Sequence, residues 1–196
     1  MSKIADLMLM AAGGGGSPAA TLDLTFYESR YGATMGTVAV YVVDTSGNII
    51  GDAVYTASGD DGLTGGWAQR TATAVDVSGT FRIAWHYVSG SNFTGDYAID
   101  TVSLQGNSYN FDSTNDGFIC SLGDYSSSTT AFANSSSVAT DNDRGRWNRH
   151  DGVTATPDTG PTAAQSGSFY LYCETSGLNQ GYPNINFWLF SPEITV

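Results

Sequence analysis

A glycosidase needs two carboxylates held about 5 to 9.5 Å apart across the scissile bond. The three glutamates of the chain, Glu28, Glu174 and Glu193, are far apart in sequence, and no Glu-x-Asp-x-x-Glu strand presents a pair. Aspartates can supply such a pair, but no spacing singles one out. Cys173 shares the apolar parity of Phe169 and Leu171, which predicts a buried, inert thiol and not a nucleophile. His86 and His150 are too separated to read as a metal pair. His86 shares a face with Arg82 and Ala84, opposite an aromatic side, and is expected as a surface or second-layer imidazole. His150 is expected to hydrogen-bond in a loop. Asp100 and Asp112 are the more suggestive carboxylates, because they flank the Gly106 turn on consecutive predicted strands and can approach one point. A hard cation such as calcium takes about six to eight oxygens, carboxylates and carbonyls mixed. Asp100 and Asp112 are therefore candidate ligands of a structural calcium, against the plainer reading that both cap turns. Tyr125, Phe132 and Trp147 are loop-half aromatics able to stack on sugar rings.

The elements that must position these residues are strands. From Thr21 onward the apolar pattern has period two: Leu22, Leu24, Phe26; Val38, Val40, Val42; Phe81, Ile83, Trp85, Tyr87; Phe169, Leu171, Cys173; Ile185, Phe187, Leu189. Turn clusters such as Asp44 to Asn48, Ser58 to Gly62 and Ser89 to Asn92 separate them, which predicts an antiparallel sandwich or jelly roll. Tyr97 and Ile99 share one parity while Val102 and Leu104 take the other, which predicts a β-bulge near Asp100. Residues 121 to 143 read as rim loops with one short strand near Ala131 and Phe132. A helix is expected only at residues 2 to 12, where Ile4, Leu7, Met8 and Ala11 recur at helical spacing before the hinge Gly13 to Gly16. Such a segment is too short to be stable alone, so Ile4, Leu7 and Met8 are expected to bury against another subunit as an assembly contact. Lys3 and the apolar run after it have the look of a signal peptide, but Asp6 interrupts that run. The expected organisation is an assembly peptide and hinge at residues 1–19 and one sandwich at 20–196.

Composition narrows the function classes. The chain has 196 residues, a net charge of −12 with 13% charged residues, 12% aromatics and 24 glycines, a profile of turn-rich all-β proteins. With no basic face, nucleic acid is excluded as a partner class. No apolar run has the length of a membrane span, so membrane insertion is not expected. Two cysteines fit neither a disulfide-dense scaffold nor a four-ligand zinc site.

Three blocks carry a family resemblance: Arg146-Trp147-Asn148-Arg149-His150-Asp151-Gly152, then Thr156 to Pro161, then Gly167-Ser168-Phe169-Tyr170-Leu171-Tyr172. With Asn110-Phe111-Asp112, Phe118-Ile119-Cys120 and Phe190-Ser191-Pro192, they resemble the MAM domain, an adhesion module with a jelly-roll fold. Leu24 to Tyr27, Met35 to Val40, Gly66-Trp67, Phe81 to Ile83 and Gly95 to Asp100 resemble the part of that family that follows the Ser-Pro end. The chain thus resembles a circularly permuted member, with the family's second half at 21–105 and its first half at 107–196. Joining Val196 to Pro18 would restore the usual order. The resemblance implies a core role for Trp147 and a structural cation near Asp100 and Asp112. The family's four-cysteine pattern is reduced here to Cys120, and Cys173 replaces a more typical valine. The segment Met1 to Gly16 is similar to the starts of structural proteins of marine tailed phages. Together these resemblances imply a non-enzymatic virion protein, in the capsid, tail or a fibre. Its expected partners are other virion proteins, copies of itself and a host-surface glycan or protein. The alternative is a secreted carbohydrate-binding or carbohydrate-cleaving module.

Overall fold

The structure is a computed structural model that describes residues 19–122, 129–130, 132, 145–176 and 184–196. The expected helix with Ile4, Leu7 and Met8, the glycine hinge and Tyr125 lie outside the described residues. Two antiparallel sheets pack face to face as a β-sandwich. The first runs β11 (Thr129–Thr130), β10 (Ile119–Leu122), β14 (Asn186–Phe190), β7 (Thr80–Val88), β3 (Thr37–Val43), β4 (Ile49–Ser58), with β15 (Ile194–Thr195) added to β7. The second runs β12 (Trp147–Asp151), β13 (Phe169–Cys173), β8 (Tyr97–Leu104), β2 (Leu24–Arg30), β5 (Ala68–Thr71), with β9 (Asn107–Tyr109) on β8.

The period-two pattern sends alternate residues inward, as expected for strands with one buried face. Val38, Val40 and Val42 meet Phe81, Ile83, Trp85 and Tyr87 on one sheet, and Leu24, Phe26, Ile99, Leu171 and Cys173 come from the other. Phe26 joins the two, edge-on to Trp85 at 5.6 Å and to Tyr55 at 5.4 Å between ring centres. Each large side chain so buried contributes about 1.5 to 3 kcal/mol. Trp147 lies in this core, fully buried and edge-on to Tyr97.

The expected bulge is present. Thr25 faces Ser103 while Tyr27 faces Asp100, so Thr101 and Val102 together stand opposite Phe26, and Thr101 takes φ 46°. The extra residue lets Tyr97, Ile99, Val102 and Leu104 all be buried despite their two parities. The short strand expected near Ala131 is found slightly upstream, as β11 against Cys120 and Ser121. Phe132 is half-buried against the core, which corrects its expected place as an exposed stacking ring.

The first and last strands meet. β1 (Ala20–Thr21) pairs with β6 (Asp76–Val77), and β15 pairs with Thr80 and Phe81 a few residues further on. Leu22 N–H donates to Val75 O at 2.8 Å and Val196 N–H to Gly79 O at 3.1 Å, so Thr21 and Val196 line one cleft. No helix among the described residues is long and apolar enough to cross a membrane.

Candidate functional site

Asp100 and Asp112 do converge, and they converge on backbone amides. Asp100 sits at the bulge, where its Oδ1 accepts Thr101 N–H at 2.6 Å and its Oδ2 accepts Gln165 N–H at 2.9 Å and Ser166 N–H at 3.2 Å. Asp112 Oδ1 accepts Ser168 N–H at 2.7 Å and Phe169 N–H at 3.2 Å. Between these pairs lies Gly167 at φ 65°, so close that a Cβ there would overlap the Asp112 carboxylate. Arg149 of β12 sets the Asp112 loop. Its Nε donates to Phe111 O at 2.6 Å and to Thr114 O at 3.1 Å, its Nη2 donates to Asp112 O, and its Cζ stands 3.5 Å from the Phe169 ring centre.

Burial raises the Asp100 carboxyl to about 6, against the pull of its three amide donors and with some help from the Asp112 charge. N–H groups aimed at carboxylates are the surroundings of an anion, whereas calcium takes an oxygen shell of about six to eight. Among the described residues no group of three or more His, Cys, Asp or Glu side chains can hold a metal. The donor set does not fit the expected calcium; the two aspartates clamp a loop.

The glutamates are engaged in the structure. Glu28 is fully buried, and its Oε1 accepts Arg30 Nε–H at 2.7 Å, Arg70 Nε–H at 2.8 Å and the Tyr55 hydroxyl at 2.6 Å. Its Oε2 accepts the Tyr97 hydroxyl at 3.1 Å. Burial, then the Glu28 carboxylate, pushes the Tyr55 hydroxyl far up. Glu174 is buried and accepts from Tyr172 and Ser176, whereas the exposed Glu193 pairs with Arg82 at 3.0 Å. Cys120 and Cys173 are buried thiols, and burial pushes both up, away from thiolate chemistry.

An accessible feature with recognition chemistry lies on the outer face of β3, β4 and β7. With Val38, Val40 and Val42 turned inward, Thr37, Ala39 and Tyr41 must face out. With Thr56, Ser58, His86 and Val88 they line a groove of about 480 Å³. The His86 ring stacks flat on Trp188, 3.9 Å between centres and 3° between planes, and its Nε2 meets Asn186 Oδ1 at 2.7 Å. Burial lowers the His86 pKa, favouring the neutral ring. No formally charged side chain lines this groove, so its ring faces and hydroxyls suit an uncharged ligand. His150 instead lies beneath a loop, with Nε2 at 2.9 Å from Val153 O.

No family model matches the chain. No solved structure matches it significantly either. The geometry therefore stands by itself. The sequence reading missed the Glu28 network, Asp96 and the groove. For Glu28 a signal existed: it follows Leu24 and Phe26 at the inward parity, where a charge must find partners.

Proposed function

We propose that the chain is a non-enzymatic structural protein of a tailed-phage virion, built on a circularly permuted MAM-like jelly roll that serves assembly or host-surface adhesion. The observation that carries this reading is the cleft shared by Thr21 and Val196, because a permuted domain needs its two ends side by side. The engagement of Glu28 and Glu174 in internal bonds supports a structural role over hydrolysis. Residues 2–12, with Ile4, Leu7 and Met8, are then the docking peptide. The test is incorporation into particles, read by mass spectrometry of purified virions. The full chain is expected in stoichiometric amounts, and a chain lacking residues 2–12 is expected to fold yet stay out. Equal incorporation of both would refute the docking role.

The groove of Thr37, Tyr41, Thr56, Ser58 and His86 favours a second reading, a carbohydrate-binding module. Its discriminating measurement is glycan-array binding by the full chain, with loss on Tyr41→Ala.

A further inference from the structure

Where β13 meets β8, Cys173 faces Tyr97, which brings Glu174, just past β13, opposite Asp96, just before β8. Both are buried. Asp96 Oδ1 accepts Thr175 N–H at 2.8 Å and the Thr175 hydroxyl at 2.9 Å, while Asp96 Oδ2 has no donor among the described residues. Glu174 Oε1 accepts Ser176 N–H at 2.8 Å and the Ser176 hydroxyl, and Oε2 accepts the Tyr172 hydroxyl at 3.3 Å. The strand register thus sets two buried carboxyls across one junction, with Thr175 bonded to Asp96 and Ser176 to Glu174. Around them are Tyr170 and Tyr172 on β13, Cys173 and Tyr87 from the core side, and His150 on β12, its ring centre 5.2 Å from that of Tyr172. Asp151, at the end of β12, adds negative charge beside Tyr170, and the exposed Asp158 lies beside Tyr31. Among the described residues neither carboxyl has an ion-pair partner. Burial, and then the Glu174 charge, pushes Asp96 well above the carboxylate range. Two bare carboxylates in such a site would repel without compensation.

We propose that Asp96 and Glu174 hold one proton between them, carried on Asp96 Oδ2 and donated to Glu174, and that this proton latches residues 152–161 onto the sheet. The assignment of the proton follows from the donors. Each Glu174 oxygen accepts from a hydroxyl or an amide, whereas Asp96 Oδ2 does not, so Oδ2 is the oxygen free to carry it. Asp96 is also where the loop attaches. Its N–H donates to Thr159 Oγ1 at 2.9 Å, and a Cβ on Gly160 would stand 3.1 Å from Asp96 Cβ. The Thr154 hydroxyl closes the loop onto Thr159 O at 2.6 Å, and Gly160 N–H bonds Tyr31 O at 2.8 Å. Loss of the proton to solvent puts two charges across the β8–β13 junction, forces Glu174 to Ser176 away from Asp96, and frees the loop that covers Tyr170 and His150. This latch does not depend on the virion reading.

The test is hydrogen exchange of the full chain, corrected for intrinsic rates and followed by mass spectrometry across about pH 6 to 9. Opening releases the proton wherever the closed pair still holds it and the open pair does not. Over that range the opening constant of residues 152–161 rises about tenfold per pH unit, levelling once the closed pair ionises too. Asp96→Asn, whose amide donates permanently to Glu174, is expected to abolish that slope, and Asp100→Asn to leave it. A slope unchanged in Asp96→Asn, or no slope in the wild type, overturns the proposal. Should Asp96→Asn not fold, infrared spectra of Asp100→Asn decide, because Asp100 itself titrates at about 6 and is removed there. A neutral carboxyl C=O band at neutral pH that disappears in alkali supports the shared proton, and absence of the band at neutral pH overturns it. Calcium binding that is lost in Glu174→Gln also overturns it, because a metal would then hold the pair.

Discussion

The Tyr55 hydroxyl, on one sheet, donates to the Glu28 carboxylate of the other sheet at 2.6 Å, so a buried charge spans the sandwich. The network adds a directional polar link to the hydrophobic packing between the sheets.

Glu28→Gln leaves Arg30, 10% exposed at its side chain, and Arg70, 27% exposed, without their shared anion. Truncating one partner of a buried ion pair costs about 3 to 5 kcal/mol, and the partial exposure of Arg70 places the expected loss near the lower figure. The urea midpoint measures it. Adding Arg30→Met to Glu28→Gln is expected to restore part of the loss, because the uncompensated cation is removed.

Gly167→Ala should loosen the loop between the two aspartates. The methyl group would collide with the Asp112 carboxylate, and φ 65° is strained for any L side chain. The expected cost is about 1 to 3 kcal/mol, with faster amide exchange confined to residues 165–169.

Asp100 makes stability fall as pH rises. Its folded carboxyl titrates at about 6 because burial disfavours the charge, whereas the unfolded group titrates near its ordinary 3.8. Its contribution is fully present below the unfolded value and is lost as pH climbs through the folded one. Asp100→Asn is expected to flatten the urea midpoint between about pH 4 and 6. A slope identical to wild type would contradict this.

Chelation should be silent. Because amides fill the oxygens of Asp100 and Asp112, EDTA is expected to move the melting temperature by less than about 1 °C, a shift worth only a fraction of a kcal/mol. A larger drop, reversed by calcium, would reinstate the metal.

Reconnecting the ends should preserve the sandwich. A chain running from Asn107 to Val196, through a short linker to Thr21 and on to Gln105, is expected to melt within a few degrees of the parent. The cleft shared by Thr21 and Val196 is the reason, and failure to fold would weaken the permuted MAM-like reading.

Much of this architecture is legible in residue order. Val38, Val40 and Val42, or Phe81 to Tyr87, alternate so regularly that strand, face and core follow together, and even the phase slip between Ile99 and Val102 announces its bulge. What resists reading is the meeting of distant polar groups. Asp100 and Asp112 are seen to converge, yet their partners Gln165 to Phe169 arrive from another part of the chain, and those partners decide between cation and clamp. Asp96 and Glu174 have no local mark at all. Their pairing exists only once β13 lies beside β8. The groove is likewise a product of strand order, since Thr56 and His86 become neighbours only with β3 between them.

Cys120 and Cys173 are buried on opposite sheets, β10 and β13. Nature has thereby placed one chemical probe in each half of the sandwich. Under a thiol reagent at fixed concentration, the two alkylation rates time the separate breathing of each sheet. If they coincide at every denaturant concentration, the halves open as one cooperative unit; if they diverge, the protein comes apart leaf by leaf.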